Sequence, residues 1–265
     1  MSTATTAPVP AAPATARRSA RPGRAVLAAE TRLFLREPFS LFWIAAFPTV
    51  LLVVIGLVPP FRERDPEIAG LRVVDLYVPI SVLLAVIMAS VQAMPQVLAA
   101  YREQKVLRRV ATTPARPWHL LAAQVALHGA AVLVSAVTVI GVGALVHGVP
   151  VPQAPVPYAL TLLLALAASL ATGCLLGGVL TSTRTAAVVG TAVFVPSMFT
   201  AGVYVPVTTF SGWLADVVAL TPLGSAAYAL DAAMRGGWPE PVHLLVTAAW
   251  ALVLGAAAAR YFRWE

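Results

Sequence analysis

Residues 101–124 read YREQKVLRRVATTPARPWHLLAAQ. Five lysines and arginines, one glutamate, two prolines and a tryptophan crowd into this run, with long apolar stretches on both sides. Elsewhere the chain avoids charge. Of its 265 residues 59% are hydrophobic and only 11% are charged, where a soluble domain carries about 25%. So few polar groups do not cover a surface in water, and the expected solvent is a bilayer.

A spanning helix needs about 20 apolar residues. Six runs qualify, at about 38–58, 77–98, 120–147, 157–180, 186–204 and 241–260. The expected fold is therefore all-α and polytopic. Six crossings put both termini on one side. That side holds 14 lysines and arginines and the other holds four, so the positive-inside rule sets both termini in the cytoplasm. Run 101–124 then becomes a cytoplasmic loop between the second and third spans. The net charge of +7 is read against topology, and no nucleic-acid partner is expected. Residues 1–22, rich in Ala, Pro and Thr, read as a disordered tail, leaving 23–265 as the membrane domain. The lone Cys174 makes no intrachain disulfide, and no Cys/His spacing suggests zinc.

Three segments outside the spans are unusual. In 24–37, RAVLAAETRLFLRE, Val26, Leu27, Leu33 and Phe34 share one helical face while Arg24, Arg32 and Arg36 fall elsewhere. This is the pattern of a helix lying in the membrane interface, and Pro38 marks its end. Glu30 sits within the apolar arc. It reaches the headgroups or a nearby arginine, or else contacts a cytoplasmic partner.

In 101–111, Leu107 is surrounded by Arg102, Lys105, Arg108 and Arg109, and Glu103 has Arg108 as a loose helical partner. Thr112, Thr113 and Pro114 end the segment. Pro117 suits the start of the third span, with Trp118 in the interfacial belt. The segment is an ordinary positive-inside loop or a docking element for a soluble partner.

In 205–240, Trp213, Leu214, Val217 and Val218 share a side, Thr221 suits an N-cap and Pro222 the first helical position. Asp231 and Arg235 are spaced i, i+4 and contribute about 0.2–0.5 kcal/mol if exposed. Gly236 and Gly237 stop the helix. These two helices are too short to cross. They dip into the outer leaflet or lie across it as an external hairpin.

Polar groups within the spans are few. Gln92 and Gln96 flank Pro95, and Gln124 and His128 share a face of the third span. Interhelical hydrogen bonds are the simple reading, and a substrate path is the alternative. The stripe of Phe39, Phe42, Trp43 and Phe47 packs against lipid or neighbours, or walls a binding cavity. Gly173 and Gly177 form a G-x-x-x-G pair suited to close helix approach. Ser225 has no evident histidine partner, and no hydrolase, metalloprotease or ATP-binding motif is present.

Together these features resemble the permease subunits of type-2 (ABC-2, type V fold) ABC exporters, in particular the actinobacterial drug- and antibiotic-resistance type. YREQKVLRRVATTP is similar to the cytoplasmic signature of that family, an R-E-x-G-T-L-R-R-L-like run with a Thr-Pro turn. Lys105 stands where glycine is usual. SMFTAGVYVPVTTFSGWLADVVALTPLGSAAYALDAAMRGG, 197–237, resembles the stretch from the fifth span into the external helices, and 24–37 resembles the connecting helix.

The resemblance implies a coupling helix at 101–111 seated on an ATPase, with Arg102, Glu103, Lys105, Leu107, Arg108 and Arg109 as its contacts. Glu30, Arg32 and Arg36 fall on the connecting helix, Phe42, Trp43, Gln92, Gln96, Gln124 and His128 on the candidate substrate path, and Trp213, Pro222, Asp231 and Arg235 on the external hairpin. It implies two ATPase subunits carrying ATP and Mg, none on this chain, a second permease copy of the same or another kind, surrounding lipid, and a bacterial cytoplasmic membrane. The expected cargo is a hydrophobic or amphipathic drug, antibiotic or lipid-like molecule. A polysaccharide or lipid-linked glycan exporter is the alternative within transport, and a non-transport scaffold or sensor the alternative outside it.

Overall fold

Prolines open most of the helices in the computed structural model, which describes residues 22–68, 70–106 and 116–262. Proline costs nothing in a first turn, where its missing N–H has no intrahelical partner. Such starts give α1 (Pro22–Phe34), α2 (Pro38–Leu57), α4 (Pro117–His147), α5 (Pro155–Val179), α8 (Pro222–Met234) and α9 (Pro241–Tyr261). The others are α3 (Val73–Glu103), α6 (Thr183–Thr200) and α7 (Trp213–Ala219). Two-residue strands β1 (Arg64–Asp65) and β2 (Leu71–Arg72) pair antiparallel in the α2–α3 loop. The expected tail lies outside the described residues but for its last position.

Five helices, α2, α3, α4, α5 and α9, are long and apolar enough to cross a membrane. The sixth expected span is α6. Its 18 residues make a rod of about 27 Å, diluted by Arg184 and several hydroxyls. Its position identifies it as a crossing. Thr183, at its start, meets Glu103 at the end of α3. Val203, just past its end, takes a hydrogen bond from Tyr77 near the start of α3. With α6 included the described residues hold six candidate crossings, and α1 and Phe262 lie at the same end of the bundle. The fold is an all-α polytopic membrane protein.

α3 is the axis. Val82, Leu83, Leu84, Val86 and Ile87 are fully buried, and α2, α4, α5, α6 and α8 all pack on it. In a bilayer such contacts rest on close packing rather than on hydrophobic burial. Gly173 of α5 lies against the carbonyl of Ser90, so close that a Cβ there would stand 2.2 Å from the oxygen. Gly190 of α6 approaches the Val91 carbonyl from the other side.

These carbonyls belong to a π turn, Met88–Ala93, just before Pro95. A second π turn, Phe42–Ala46, precedes Pro48 in α2. A proline ring clashes with the carbonyl four residues earlier. Widening the helix over those residues relieves the clash, and the next N–H bonds five residues back, Met94 to Ala89 and Phe47 to Phe42.

The short pair α7 and α8 bends by 95° between Ala219 and Pro222. Thr221 caps α8 by accepting the Gly224 N–H at 3.1 Å. The Trp250 indole N–H donates to the Leu220 carbonyl at 2.9 Å. Trp250 lies nine residues into α9, about 14 Å along its axis, so the turn sits about midway along α9 with Leu220 exposed. α8 then climbs back until Met234 and Ala233 accept the N–H groups of Gln153 and Ala154 in the α4–α5 loop. The pair is a re-entrant hairpin. It does not lie across the surface, because nearly every residue of α8 is buried against α5, α9 and α3.

Candidate functional site

α1 turns Gly23, Val26, Glu30 and Phe34 toward α4, a spacing of three to four residues that keeps one helical face. Leu27 and Leu33 point outward. Glu30 is thus 7% exposed. Its Oε2 accepts the Tyr101 hydroxyl at 2.5 Å and the Gln124 amide N–H at 2.7 Å, and that amide nitrogen also donates to the Tyr101 oxygen at 3.0 Å. One turn on, the fully buried His128 holds its Nδ1 2.9 Å from the Gln124 carbonyl, with the Phe34 ring edge-on at 5.2 Å. Among the described residues Glu30 has no ion pair. A buried carboxylate is costly without donors, and these two supply them from α3 and α4. The junction ties α1, the end of α3 and the start of α4 together.

A second joint lies two residues further along α3, at Glu103. The Glu103 carboxylate accepts the backbone N–H of Thr183 at 2.9 Å and its hydroxyl at 3.0 Å. It caps α6 where first-turn N–H groups lack partners and the helix dipole favours an anion. Arg102 donates to the Leu180 carbonyl at 3.3 Å, and its guanidinium lies 5.4 Å from the Phe262 ring centre. The last turn of α3 is therefore bonded to the end of α5, the start of α6 and the residues after α9. Beyond it the chain turns at Gln104 and Lys105. Lys105 has φ of +55°, the left-handed region that glycine occupies without strain, so the bend of the resembled pattern persists without its glycine.

A groove of about 780 Å³ opens beside these joints. Leu33, Glu37, Phe39, Ser40 and Trp43 form one wall, Met88, Gln92, Gln96, Ala100 and Tyr101 of α3 with Gln104 just past it a second, and Thr183 and Phe194 of α6 a third. Both π turns face it, presenting Trp43 and Gln92. Phe47, Phe42 and Phe39 hold the indole at ring separations of 4.7, 5.4 and 6.0 Å. Gln92 Oε1 is buried and has no donor among the described residues.

The residues expected on a substrate path divide. Trp43, Gln92 and Gln96 line the groove, and Phe42 packs beside Trp43. Gln124 and His128 do not line it. Their face of α4 turns to α1, and the Tyr101 side chain stands between them and the groove. Arg32 and Arg36 are exposed on α1 and just after it. Glu103 has Thr183 as a partner, while Leu107, Arg108 and Arg109, and with them the expected Glu103–Arg108 pairing, lie outside the described residues. Glu37, Tyr101, Gln104 and Thr183 were not anticipated. Only Glu37 carried a signal, as a carboxylate at the break before Pro38.

At the opposite end, the Arg72 guanidinium donates to the His147 and Gly148 carbonyls at 3.0 and 3.3 Å and to Asp75 at 2.6 Å. Hydrogen bonding to Asp75 and its charge hold the Arg72 pKa above the ordinary arginine value, against the opposing effect of burial. In the hairpin, Trp213 is exposed and Pro222 opens α8. Asp231 pairs with Arg235, but the Asp231 side chain is only 12% exposed. The pair is half-buried, not the exposed one allowed for above, because α8 enters the bundle. Ser225 does meet a histidine. Its hydroxyl donates to the His243 backbone carbonyl at 2.9 Å, with the ring Nδ1 at 3.4 Å. That hydroxyl is fully buried and committed to the carbonyl, so no nucleophile results.

Comparison with curated proteins returned no match. The model of the ABC-2 type transporter family matches residues 23–235, a stretch that holds α1, both joints, the groove and the hairpin. The chain belongs to the ABC-2 type transporter family, as a membrane-spanning component and not an ATPase.

Proposed function

We propose that the chain is the permease of an ATP-driven exporter. It works as a pair with a second permease copy on two ATPase subunits that carry ATP and Mg, and moves hydrophobic or amphipathic molecules out of the cytoplasm or inner leaflet of a bacterial plasma membrane. Both termini are then cytoplasmic, in keeping with an even number of crossings and the 14-to-four division of cations.

The observation that carries the reading is the pair of joints at the end of α3. Segment 104–115 leaves α3 one residue after Glu103. A push on it by a closing ATPase acts on the last turn of α3, and through Tyr101 and Glu103 on α1, α4 and α6. Three of the elements so linked, α3, α6 and the α1–α2 break, wall the groove. Coupling contacts fall to Arg102, Lys105, Leu107, Arg108 and Arg109, with Glu103 holding the helix they extend. The re-entrant hairpin, with Trp213, Pro222, Asp231 and Arg235, closes the outward route.

The test is to reverse Arg108 and Arg109 to Glu together. Membrane insertion should survive, because many cations remain on that side. Recovery of the ATPase with the tagged permease should fall, and drug efflux with it. A doubly reversed permease that still assembles and exports normally would reduce the segment to a topology signal. Recruitment of no ATPase at all would favour a scaffold or sensor.

A further inference from the structure

We propose that the groove selects amphipathic cations, molecules with an apolar, ring-bearing body and one positive charge. The inference rests on the reading of the groove as the substrate path and names what that path accepts. The chain carries 18 lysines and arginines against 11 acidic residues, yet no lysine, arginine or histidine lines the groove among the described residues. The one acidic side chain on its walls, among the described residues, is Glu37, exposed, with a 3.3 Å hydrogen bond from Ser40.

Two further carboxylates stand directly behind the wall. Glu30 is behind Tyr101, without an ion pair among the described residues, and Glu103 is behind Thr183. Glu37 on the wall and Glu30 behind Tyr101 put two carboxylates on this side of the groove. The side walls supply aromatic faces at Trp43 and Phe39, which suit both an apolar body and a cation. An anion in this groove would meet the Glu37 carboxylate, with no lysine, arginine or histidine among the described lining residues to offset it.

The charge rule is separable from shape with tetraphenylphosphonium and tetraphenylborate, ions of nearly equal size and opposite sign. Binding is measured to the purified full-length chain in lipid nanodiscs, with partitioning into empty discs subtracted. Tetraphenylphosphonium should bind at least about tenfold more tightly than tetraphenylborate. Glu37→Gln should bring the ratio close to one, Glu37→Asp should keep most of it, and Glu37→Lys should reverse it. Glu37 is exposed and makes one weak side-chain contact, so these variants should elute as the parent does on size exclusion.

Equal binding of the two ions overturns the proposal. So does an absence of protein-dependent binding, or a preference for the cation that Glu37→Gln leaves unchanged. The measurement involves no ATPase. Failure of ATPase recruitment would therefore sink the exporter reading while this ratio stood, and an absent ratio would sink the cation rule while recruitment stood.

Discussion

The hydroxyl of Tyr101 donates to the carboxylate of Glu30, 71 residues earlier in the chain. This bond joins the helix that precedes the first span to the last turn of the second. The partner of each was invisible from its own neighbourhood: Glu30 lies in an otherwise apolar arc, and Tyr101 opens a cationic run.

Tyr101→Phe removes one of two donors to a buried carboxylate. The expected loss is about 1–2 kcal/mol, the range of strong interhelical hydrogen bonds in membranes, read as a lower unfolding midpoint in detergent. Glu30→Gln keeps an acceptor for both donors and should cost less. Coupling of the two changes in a double-mutant cycle tests the bond itself. Additive effects would show that the residues act separately.

Lys105→Gly removes a side chain from a left-handed backbone position. Such a conformation costs a non-glycine residue about 1–2 kcal/mol, so the variant should unfold at a higher temperature. Lys105→Val should do the reverse. A destabilised Lys105→Gly would mean that the lysine makes a contact worth more than its backbone strain.

Gly173→Ala places a methyl 2.2 Å from the Ser90 carbonyl, whereas Gly255→Ala meets open space. The first should destabilise by about 1–3 kcal/mol, as overpacking does, and the second should be neutral or mildly stabilising. Thermal unfolding of the two purified variants side by side makes the comparison. Equal midpoints would show that α5 can move off the π turn at little cost.

Asp231→Ala leaves Arg235 without its carboxylate in a half-buried site. The cost should lie above the roughly 0.5 kcal/mol of an exposed pair and below the 3–5 kcal/mol of a fully buried one. Pro222→Gly loosens the same hairpin at its turn and should lower efflux while ATPase recovery persists. Normal efflux with both changes combined would leave the hairpin a passive cover.

Topology is open to single cysteines in a Cys174→Ala background. Cysteines replacing Arg64, Gln153 and Gly237 should react with an impermeant thiol reagent on intact cells, and one replacing Arg109 should not. Labelling at Arg109 from outside would overturn the six-crossing orientation.

The local signals in this sequence were strong and mostly sufficient for the elements. Prolines at 38, 117, 222 and 241 open helices where first-turn chemistry requires, and the Thr221–Pro222 cap forms as its residue types dictate. Hydropathy located five long apolar helices outright and α6 to within a few residues.

Which face of each helix meets protein was not legible. In lipid an apolar side chain is equally at home against a tail or a neighbouring helix, so a greasy arc carries no direction. Leu27 and Leu33 face outward while Glu30, in the same arc, faces in. Gln92 and Gln124 looked alike, yet one lines the groove and the other braces Glu30 behind its wall. Asp231 and Arg235 read as a surface pair until the 95° bend carried α8 into the bundle. Composition and caps act over a few residues and determined the helices. The joints, the groove and the depth of the hairpin depend on contacts between residues far apart in the chain, and only the packing of the six crossings decided those.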